Sequence, residues 1–319
     1  MTFNVYFGTD LAPVFAARSL PELADTIANL WAGVQATDIP ARAASIAHEI
    51  AAATPDLVGL QETALWSTGT PGAMSPRLDF LLLILEALRK EKAFYVPIAI
   101  RKDLDQAAPL DLIGNFARFE DRHAVLIRVE PLASQVQPYD IRAETFSTLF
   151  EVASPLTGPL RIPRSWIAVD AMLGDRKFRF IETHIESLDE AVQVAQSKEL
   201  IAGPAHTELP VILLGDFNTN ANRQSGVPDY TPTYPELIAA GFHDTWAAVN
   251  GDDPGNTCCQ APDLRNPLSE LNRRLDLILT RGAIVPIAAK LAGAEPAART
   301  ASKVWPSDHA GVLAKLRFE

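Results

Sequence analysis

Short apolar runs that end in polar residues recur along the chain, and the clearest covers residues 211–214. Its sequence, Val-Ile-Leu-Leu, contains two β-branched residues and predicts a buried strand. Gly215 ends the run, and Asp216 and Asn218 follow. Residues i and i+2 of a strand point the same way, so a carboxylate and an amide can project together from the strand end. An Asp/Asn turn that merely closes a strand is the alternative.

The same pattern predicts further strands and several helices. Strands are predicted at residues 2–7, 57–60, 94–100, 124–129, 165–171, 177–182, 274–279 and 311–316. Gly174-Asp175 indicates a hairpin between two of these strands. Helices are predicted at residues 20–35, 40–53, 79–90, 188–202 and 233–240.

Two polar stretches are predicted as loops. Residues 65–77 are rich in Gly, Pro, Ser and Thr, and residues 101–123 are mixed and polar. Strands and helices do not alternate strictly, which favours mixed sheets over a doubly wound parallel sheet. At 319 residues and 48% hydrophobic, the chain can bury a large core, and we expect a single domain over residues 1–319.

Polar residues gather at the ends of the predicted strands. They comprise Asn4, Glu62, His184, Asp216, Asn218, Asp276, Asp308 and His309. A core strand holds such groups rigidly, which suits a preorganised site. Carboxylate and amide oxygens suit Mg²⁺, Mn²⁺ or Ca²⁺, and the sequence has neither a Cys/His zinc spacing nor a His-Glu-x-x-His motif.

Each of these residues also has a structural interpretation. His184 could be a hydrogen-bonded core histidine, and Asp276 could form an ion pair with Arg273 or Arg274. Asp308 could belong to a simple turn, and Asn4 could be an edge residue of a sheet. A purely structural explanation would have to hold independently for every one of these residues, so we reject it for the candidate set as a whole.

Net charge limits the classes of partner. The chain carries 28 basic and 39 acidic residues, a formal net charge of −11. Binding a nucleic acid mainly through a basic surface is therefore disfavoured, because that mode depends on Lys and Arg. An enzyme that binds one phosphodiester locally through a metal ion is still allowed.

Two further features bear on compartment. The only cysteines, Cys258 and Cys259, are adjacent, and we expect two ordinary half-buried thiols, with a vicinal disulfide as the alternative. No apolar run reaches the length of a transmembrane helix. The chain opens on a predicted strand without a basic-then-apolar leader, so the protein is either cytosolic or an exported protein whose leader has been removed, and we favour export.

Six motifs in a fixed order resemble the endonuclease/exonuclease/phosphatase superfamily, which includes deoxyribonuclease I, bacterial sphingomyelinases and inositol polyphosphate phosphatases. The motifs are Asn4, Gln61-Glu62, Thr183-His184, Gly215-Asp216-Phe217-Asn218, Arg274-Leu275-Asp276 and Ser307-Asp308-His309. The resemblance implies a four-layered α/β sandwich, in which two mixed sheets pack face to face with helices outside and the site lies at one rim.

The resemblance also implies a metal-binding side of the site. Glu62 would be the principal Mg²⁺ ligand, although Mn²⁺ or Ca²⁺ would also suit it. Asn4 would be a ligand or would orient Glu62, and Asp308 would complete the metal side. Tyr6 stands where many members have a second Asn, which resembles sphingomyelinase-like and uncharacterised bacterial members more than nucleases.

The remaining residues would act on the phosphodiester. By resemblance, Asp216 would orient or deprotonate the attacking water, and Asn218 would hold a phosphate oxygen. His309 would sit on the phosphate, with its tautomer fixed by Asp276. His184 would donate to a phosphate oxygen or protonate the leaving group, and its presence is typical of the deoxyribonuclease I and sphingomyelinase branches.

The expected function is metal-dependent hydrolysis of a phosphodiester by in-line attack of water, with a small or lipid-headgroup substrate favoured. A secreted DNase-type endonuclease is the alternative. A non-catalytic binding protein on the same fold is the alternative from another class. Arg164 and Trp166 could line the cleft and Asp121 could orient His184, but an exposed strand pair and a solvated acid explain them at least as well. They are left outside the predicted site.

Overall fold

Sixteen strands and seven α-helices occupy the part of the chain that the computed structural model describes, residues 1–130, 133–222 and 229–319. The strands are β1 Thr2–Asn4, β2 Leu57–Gln61, β3 Leu65–Thr70, β4 Ala73–Asp79, β5 Phe94–Pro109, β6 Phe116–Glu130, β7 Val136–Thr145, β8 Phe150–Val152, β9 Leu160–Ile162, β10 Ser165–Leu173, β11 Arg176–His184, β12 Val211–Asp216, β13 His243–Asp244, β14 Asp276–Arg281, β15 Ile284–Ala292 and β16 Gly311–Phe318. The helices are α1 Ala12–Ala16, α2 Leu20–Ala36, α3 Ile39–Ala53, α4 Phe80–Lys90, α5 Glu190–Ala202, α6 Thr233–Ala239 and α7 Thr245–Asn250. None of these helices is long and apolar enough to span a membrane.

Two mixed sheets form the centre of the molecule. The first has the strand order β15-β16-β1-β2-β6-β3-β4, with β5 also paired to β6, and the second has the order β13-β14-β12-β11-β10-β7. Each sheet contains one parallel pair, β1 with β2 and β11 with β12, among antiparallel neighbours. The predicted mixed sheets are therefore confirmed.

Side chains along each strand point alternately to the two faces of its sheet, and each face packs against a different layer. In β12, Val211 and Leu213 belong to one apolar cluster with Leu200 of α5 and Leu237 of α6, whereas Ile212 and Leu214 belong to the cluster between the two sheets. The strand is apolar throughout because both of its faces are buried.

The first sheet is covered on its outer face by α2, α3 and α4. Buried Ile46, Ile84 and Leu88 of these helices pack in one cluster with Phe3 of β1. With α5 and α6 outside the second sheet, the order of layers is helices, sheet, sheet, helices, as the resemblance implied.

Close approach of the two sheets requires a glycine at position 59 in β2. A Cβ added there would lie 2.6 Å from the Glu182 Cγ and 2.6 Å from the Leu214 Cδ1, both in the second sheet. These distances are far below van der Waals contact, so a larger residue would force the sheets apart.

Both predicted loops are wrong, because each folds into a hairpin of the first sheet. Residues 65–77 form β3 and most of β4, and residues 101–123 form the end of β5 and the start of β6. Their alternating polar residues lie on a half-exposed surface, where the apolar signal of a strand is weak. The predicted hairpin at Gly174-Asp175 is confirmed as the turn between β10 and β11.

Cys258 and Cys259 are joined by a disulfide, so the expectation of two free thiols is wrong. Cys258 is buried and Cys259 is partly exposed, and their segment forms isolated bridges to Arg273 and His309.

Candidate active site

The ends of five strands meet at one rim of the sandwich. β1 and β2 are parallel and in register at their last residues, Asn4 opposite Gln61, so Glu62 follows beside Asn4. β11 and β12 are also parallel, with His184 opposite Asp216. β14 runs antiparallel to β12 and begins at this rim, with Asp276 opposite Asp216. Parallel strands end at the same edge of a sheet, which is why residues far apart in sequence converge here.

Asn4 connects the two sheets at this rim. Its Nδ2 donates to the Glu62 Oε1 at 3.0 Å and to the Asp216 Oδ2 at 2.9 Å, while its Oδ1 accepts from the Tyr6 backbone N–H at 3.0 Å. Asn4 is buried, and its amide therefore fixes the positions of two carboxylates.

Glu62 follows β2 with a φ of 60°. Its Oε2 accepts from the Phe7 backbone N–H at 2.9 Å. Burial first, and then the negative charges of Asp121 and Asp308, raise the pKa of Glu62 to about 8. Burial likewise raises the pKa of Asp308. Two carboxylates that repel each other in this way are the kind of donor set that a divalent cation neutralises.

His309 lies against Asp276 and faces Asp216. Its Nδ1 is 2.7 Å from the Asp276 Oδ2, and its Nε2 is 3.8 Å from the Asp216 Oδ2. Burial alone would lower the pKa of His309, but the negative charges of Asp276, Asp216 and Asp308 outweigh burial and raise it well above the usual range. Asp276 does not pair with Arg273 or Arg274, whose carboxylate partners are Asp229 and Asp244.

His184 also lies near Asp216, with the His184 Nε2 at 3.6 Å from the Asp216 Oδ2. Arg164 Nη1 lies 3.0 Å from the His184 Nδ1. An arginine can only donate, so the His184 Nδ1 accepts and the proton of the neutral ring lies on Nε2. Burial and the nearby Arg164 charge lower the pKa of His184 well below its usual value.

Asn218 lies just past the end of β12 with a φ of 48°. Its backbone N–H donates to the Asp216 Oδ1 at 2.9 Å, and its Nδ2 donates to the Ile185 backbone carbonyl at 3.0 Å. The left-handed conformation, which Asn tolerates better than most residues, turns the chain sharply so that Asn218 lies beside Asp216.

The structure thus brings all eight predicted residues to this rim, and sequence reasoning understated two others. Arg164 reaches His184, and the Asp121 Oδ2 lies 3.8 Å from the Arg164 Nη1, so Arg164 stands between the acid and the histidine. Trp166, by contrast, is buried in the apolar cluster beneath α5. Arg164 directly precedes β10, and Ser165, the first residue of β10, is paired with His184. Its place before this strand was the sequence feature that indicated a role at the site.

Sequence reasoning missed a buried polar network between the two sheets, directly behind the rim. His123 lies between Glu182, which its Nδ1 contacts, and Ser165, whose Oγ is 2.7 Å from the His123 Nε2. The Gln61 Nε2 donates to the Glu182 Oε1 at 2.7 Å, and the Ser165 Oγ donates to Asp103. Gln61 directly precedes Glu62, and Ser165 directly follows Arg164. The network therefore helps to hold both of these site residues in place.

The network predicts a pH-dependent term in stability. Burial alone would lower the pKa of His123, but the carboxylates of Glu182 and Asp103 outweigh burial and raise it to about 9. A histidine whose folded pKa is raised stabilises the fold fully below the unfolded pKa of about 6.5. We expect this stabilisation, about 3 kcal/mol, to be lost as the pH rises from about 6.5 through 9.

The measurement is an NMR titration of the His123 ring, assigned with the variant His123→Gln, together with urea unfolding of the wild type at several pH values. A ring that titrates with a midpoint near 6.5 would contradict the expectation.

The chain is similar to a known protein family over almost its whole length. The model of the endonuclease/exonuclease/phosphatase family matches residues 1–309. No curated protein matches the chain by sequence at a significant level.

Solved structures share the fold at low sequence identity. Danio rerio TDP2 in complex with a single-strand DNA product is similar with a TM-score of 0.55 and 17% identity, over 88% of this chain and 93% of that one. A mannosyl-6-phosphatase from Bacteroides thetaiotaomicron is similar with a TM-score of 0.53 and 17% identity, over 87% of this chain and 91% of that one. A functionally unknown protein from Enterococcus faecalis is similar with a TM-score of 0.56 and 14% identity, over 100% of this chain and 98% of that one. With the family model matching almost the whole length, the chain belongs to the endonuclease/exonuclease/phosphatase family.

Proposed function

We propose that the protein is a divalent-metal-dependent hydrolase of phosphodiesters. The observation that carries the proposal is the set of donors that surrounds the Asp216 Oδ2: the Asn4 Nδ2 at 2.9 Å, the His184 Nε2 at 3.6 Å and the His309 Nε2 at 3.8 Å. Together with Glu62 and Asp308, these groups supply a base, hydrogen-bond donors and oxygen ligands around one point of the rim.

Glu62 and Asp308 are the residues proposed to hold the cation, which would be Mg²⁺, Mn²⁺ or Ca²⁺. Their raised pKa values support this role, because a divalent cation between them would offset the desolvation and repulsion that make these carboxylates costly to ionise. When bound, the cation would neutralise charge on the phosphate. Asn4 is better suited to orient Glu62 than to bind the cation, because its oxygen already accepts from Tyr6.

Asp216 is proposed to orient and deprotonate the attacking water. Its Oδ1 accepts the Asn218 N–H and its Oδ2 accepts from the Asn4 Nδ2, and these two hydrogen bonds hold the carboxylate in place. The Nε2 atoms of His184 and His309 face Oδ2 at 3.6 and 3.8 Å. A base fixed in this way is preorganised for a water bound beside it.

The two histidines are proposed to donate to the phosphate in different protonation states. His309 with a raised pKa carries protons on both nitrogens, so that Nδ1 donates to Asp276 and Nε2 can donate to a phosphate oxygen. His184 is neutral and keeps its proton on Nε2. A neutral imidazole is a weak acid, so hydrogen bonding to a phosphate oxygen suits His184 better than protonation of the leaving group.

A small or lipid-headgroup phosphodiester is the proposed substrate class, with DNA as the alternative. The net charge of −11 supports this preference, because a long nucleic acid would meet a surface of the same sign. The filled set of site residues argues against a purely binding role. The DNA product and the mannosyl phosphate named for the structural neighbours come from proteins with less than 20% identity, and they do not decide between substrates.

The test is hydrolysis of bis-p-nitrophenyl phosphate, p-nitrophenyl phosphate, sphingomyelin and plasmid DNA, measured side by side with Mg²⁺, Mn²⁺, Ca²⁺ or EDTA. We expect metal-dependent turnover of a diester that EDTA abolishes. Preferential cleavage of plasmid DNA would establish the nuclease alternative. No turnover with any substrate and metal would overturn the proposal in favour of a binding protein.

A further inference from the structure

The disulfide-linked pair Cys258 and Cys259 lies beside the proposed catalytic histidine. Sulfur atoms of both cysteines and a ring nitrogen of His309 all lie within 4.8 Å of one another. The backbone of Cys258 also forms a bridge to His309. Two sulfurs and one imidazole at this spacing are ligands that zinc-class cations prefer, whereas Mg²⁺ prefers oxygen.

A guanidinium lies against the sulfur atoms of the pair. The Arg273 Nη2 lies 3.0 Å from the Cys259 Sγ and 3.5 Å from the Cys258 Sγ. A guanidinium at this distance stabilises a negatively charged sulfur, and the thiolate is the form that binds metal. Cys259 is partly exposed, so a small reductant or a cation can reach the pair from solvent.

His309 is oriented to complete such a site. Its Nδ1 is held by Asp276 at 2.7 Å, so Nε2 is the ring nitrogen that a cation can bind by displacing its proton. A carboxylate that fixes the other nitrogen of a metal-bound imidazole is a common arrangement in zinc sites.

We propose that, once the disulfide is reduced, Cys258, Cys259 and His309 bind a soft divalent cation of the zinc class. The proposal of the binding site depends only on the positions of the two sulfur atoms and the His309 ring nitrogen. A second consequence rests on the proposed function: an occupied site withdraws His309 from the phosphate and inhibits hydrolysis.

The chemistry balances with a thiol as the reductant. Two equivalents of a small thiol break the Cys258–Cys259 bond, supply two electrons and two protons to form two thiols, and leave as their own disulfide. Binding of the cation then releases three protons: the two thiol protons as two sulfur–metal bonds form, and the Nε2 proton of His309 as its lone pair binds the cation.

The first experiment compares reduced with oxidised wild-type protein and needs no substitution. Zn²⁺ binding is measured by competition with a chromophoric chelator in excess Mg²⁺, and Cd²⁺ is used to detect thiolate-to-metal absorption. We expect one tight Zn²⁺ per reduced chain, binding at least about tenfold more weakly after oxidation, and a Cd²⁺ band in the reduced protein alone. Equal Zn²⁺ affinity in the two redox states would overturn the site.

Variants locate the ligands. The double variant Cys258→Ser with Cys259→Ser, and separately His309→Ala, should each weaken Zn²⁺ binding at least about tenfold. Glu62→Gln is the matched control, because it removes a proposed oxygen ligand of the catalytic cation and should leave Zn²⁺ binding to the dithiol intact. Tight Zn²⁺ binding by the double variant, or its loss in Glu62→Gln, would place the Zn²⁺ elsewhere and overturn the proposal.

Inhibition is measured separately as hydrolysis of bis-p-nitrophenyl phosphate. Stoichiometric Zn²⁺ should inhibit the reduced enzyme and spare the oxidised enzyme. Tight binding to the dithiol without inhibition would overturn the second consequence alone. If neither redox state hydrolyses any phosphodiester, the proposed function fails, and the Zn²⁺ titration still decides whether the site exists.

Discussion

Replacing His309 with alanine is expected to lower kcat/KM for a phosphodiester by at least about a hundredfold. The variant loses the donor proposed for the phosphate oxygen and leaves Asp276 buried without the imidazole that now lies 2.7 Å from it. Loss of a transition-state interaction should appear mainly in kcat, with KM changing less. Steady-state kinetics with bis-p-nitrophenyl phosphate and Mg²⁺ measure both parameters.

His206→Ala is the matched control, because His206 is exposed and lies away from the rim. It should retain wild-type kinetics. If His309→Ala also retained near-wild-type kcat/KM while its fold was intact by circular dichroism, the role assigned to His309 would be wrong.

Glu62→Gln should also cost at least about a hundredfold in rate, for a different reason. Glutamine keeps the size and one oxygen of Glu62 but removes the negative charge that would attract a divalent cation. We therefore expect the concentration of Mg²⁺ needed for half-maximal activity to rise together with the fall in kcat. A titration of rate against Mg²⁺ separates the two effects.

Glu208→Gln makes the same chemical change at an exposed position away from the site and should leave the Mg²⁺ dependence unchanged. A Glu62→Gln variant with normal rate and normal Mg²⁺ dependence would remove Glu62 from the proposed metal site.

The rim of the molecule was the part best predicted from sequence. Apolar runs such as residues 211–214 fixed the position of β12, and the polar residues after them fell at its end because buried strands stop where the apolar run stops. Order along the chain then identified the family, which no single motif could do. For this reason, the sequence alone predicts that the eight candidate residues lie together at one rim.

Polar strands and long-range contacts were beyond sequence reasoning. The facing ends of β5 and β6, residues 101–109 and 116–123, carry many charged and polar residues on a partly exposed surface, so this part of the hairpin resembles a loop in the sequence. Arg164 and His123 matter because of partners in other strands, His184 and Glu182. Such pairings depend on strand order in the sheets, which local sequence does not encode.

Arg42 has a consequence for the order in which the chain becomes functional. This buried guanidinium donates to the backbone carbonyls of Val5 and Tyr6, near the first strand, and to that of Pro306 at 3.0 Å. The Ser307 Oγ donates to the Asn4 carbonyl at 2.7 Å, across 303 positions of sequence. During synthesis Asn4 must therefore wait for residues 307–309, so a growing chain has no complete site until residue 309 has left the ribosome. Contacts of such long sequence separation form slowly, and we expect activity to appear in the last phase of refolding.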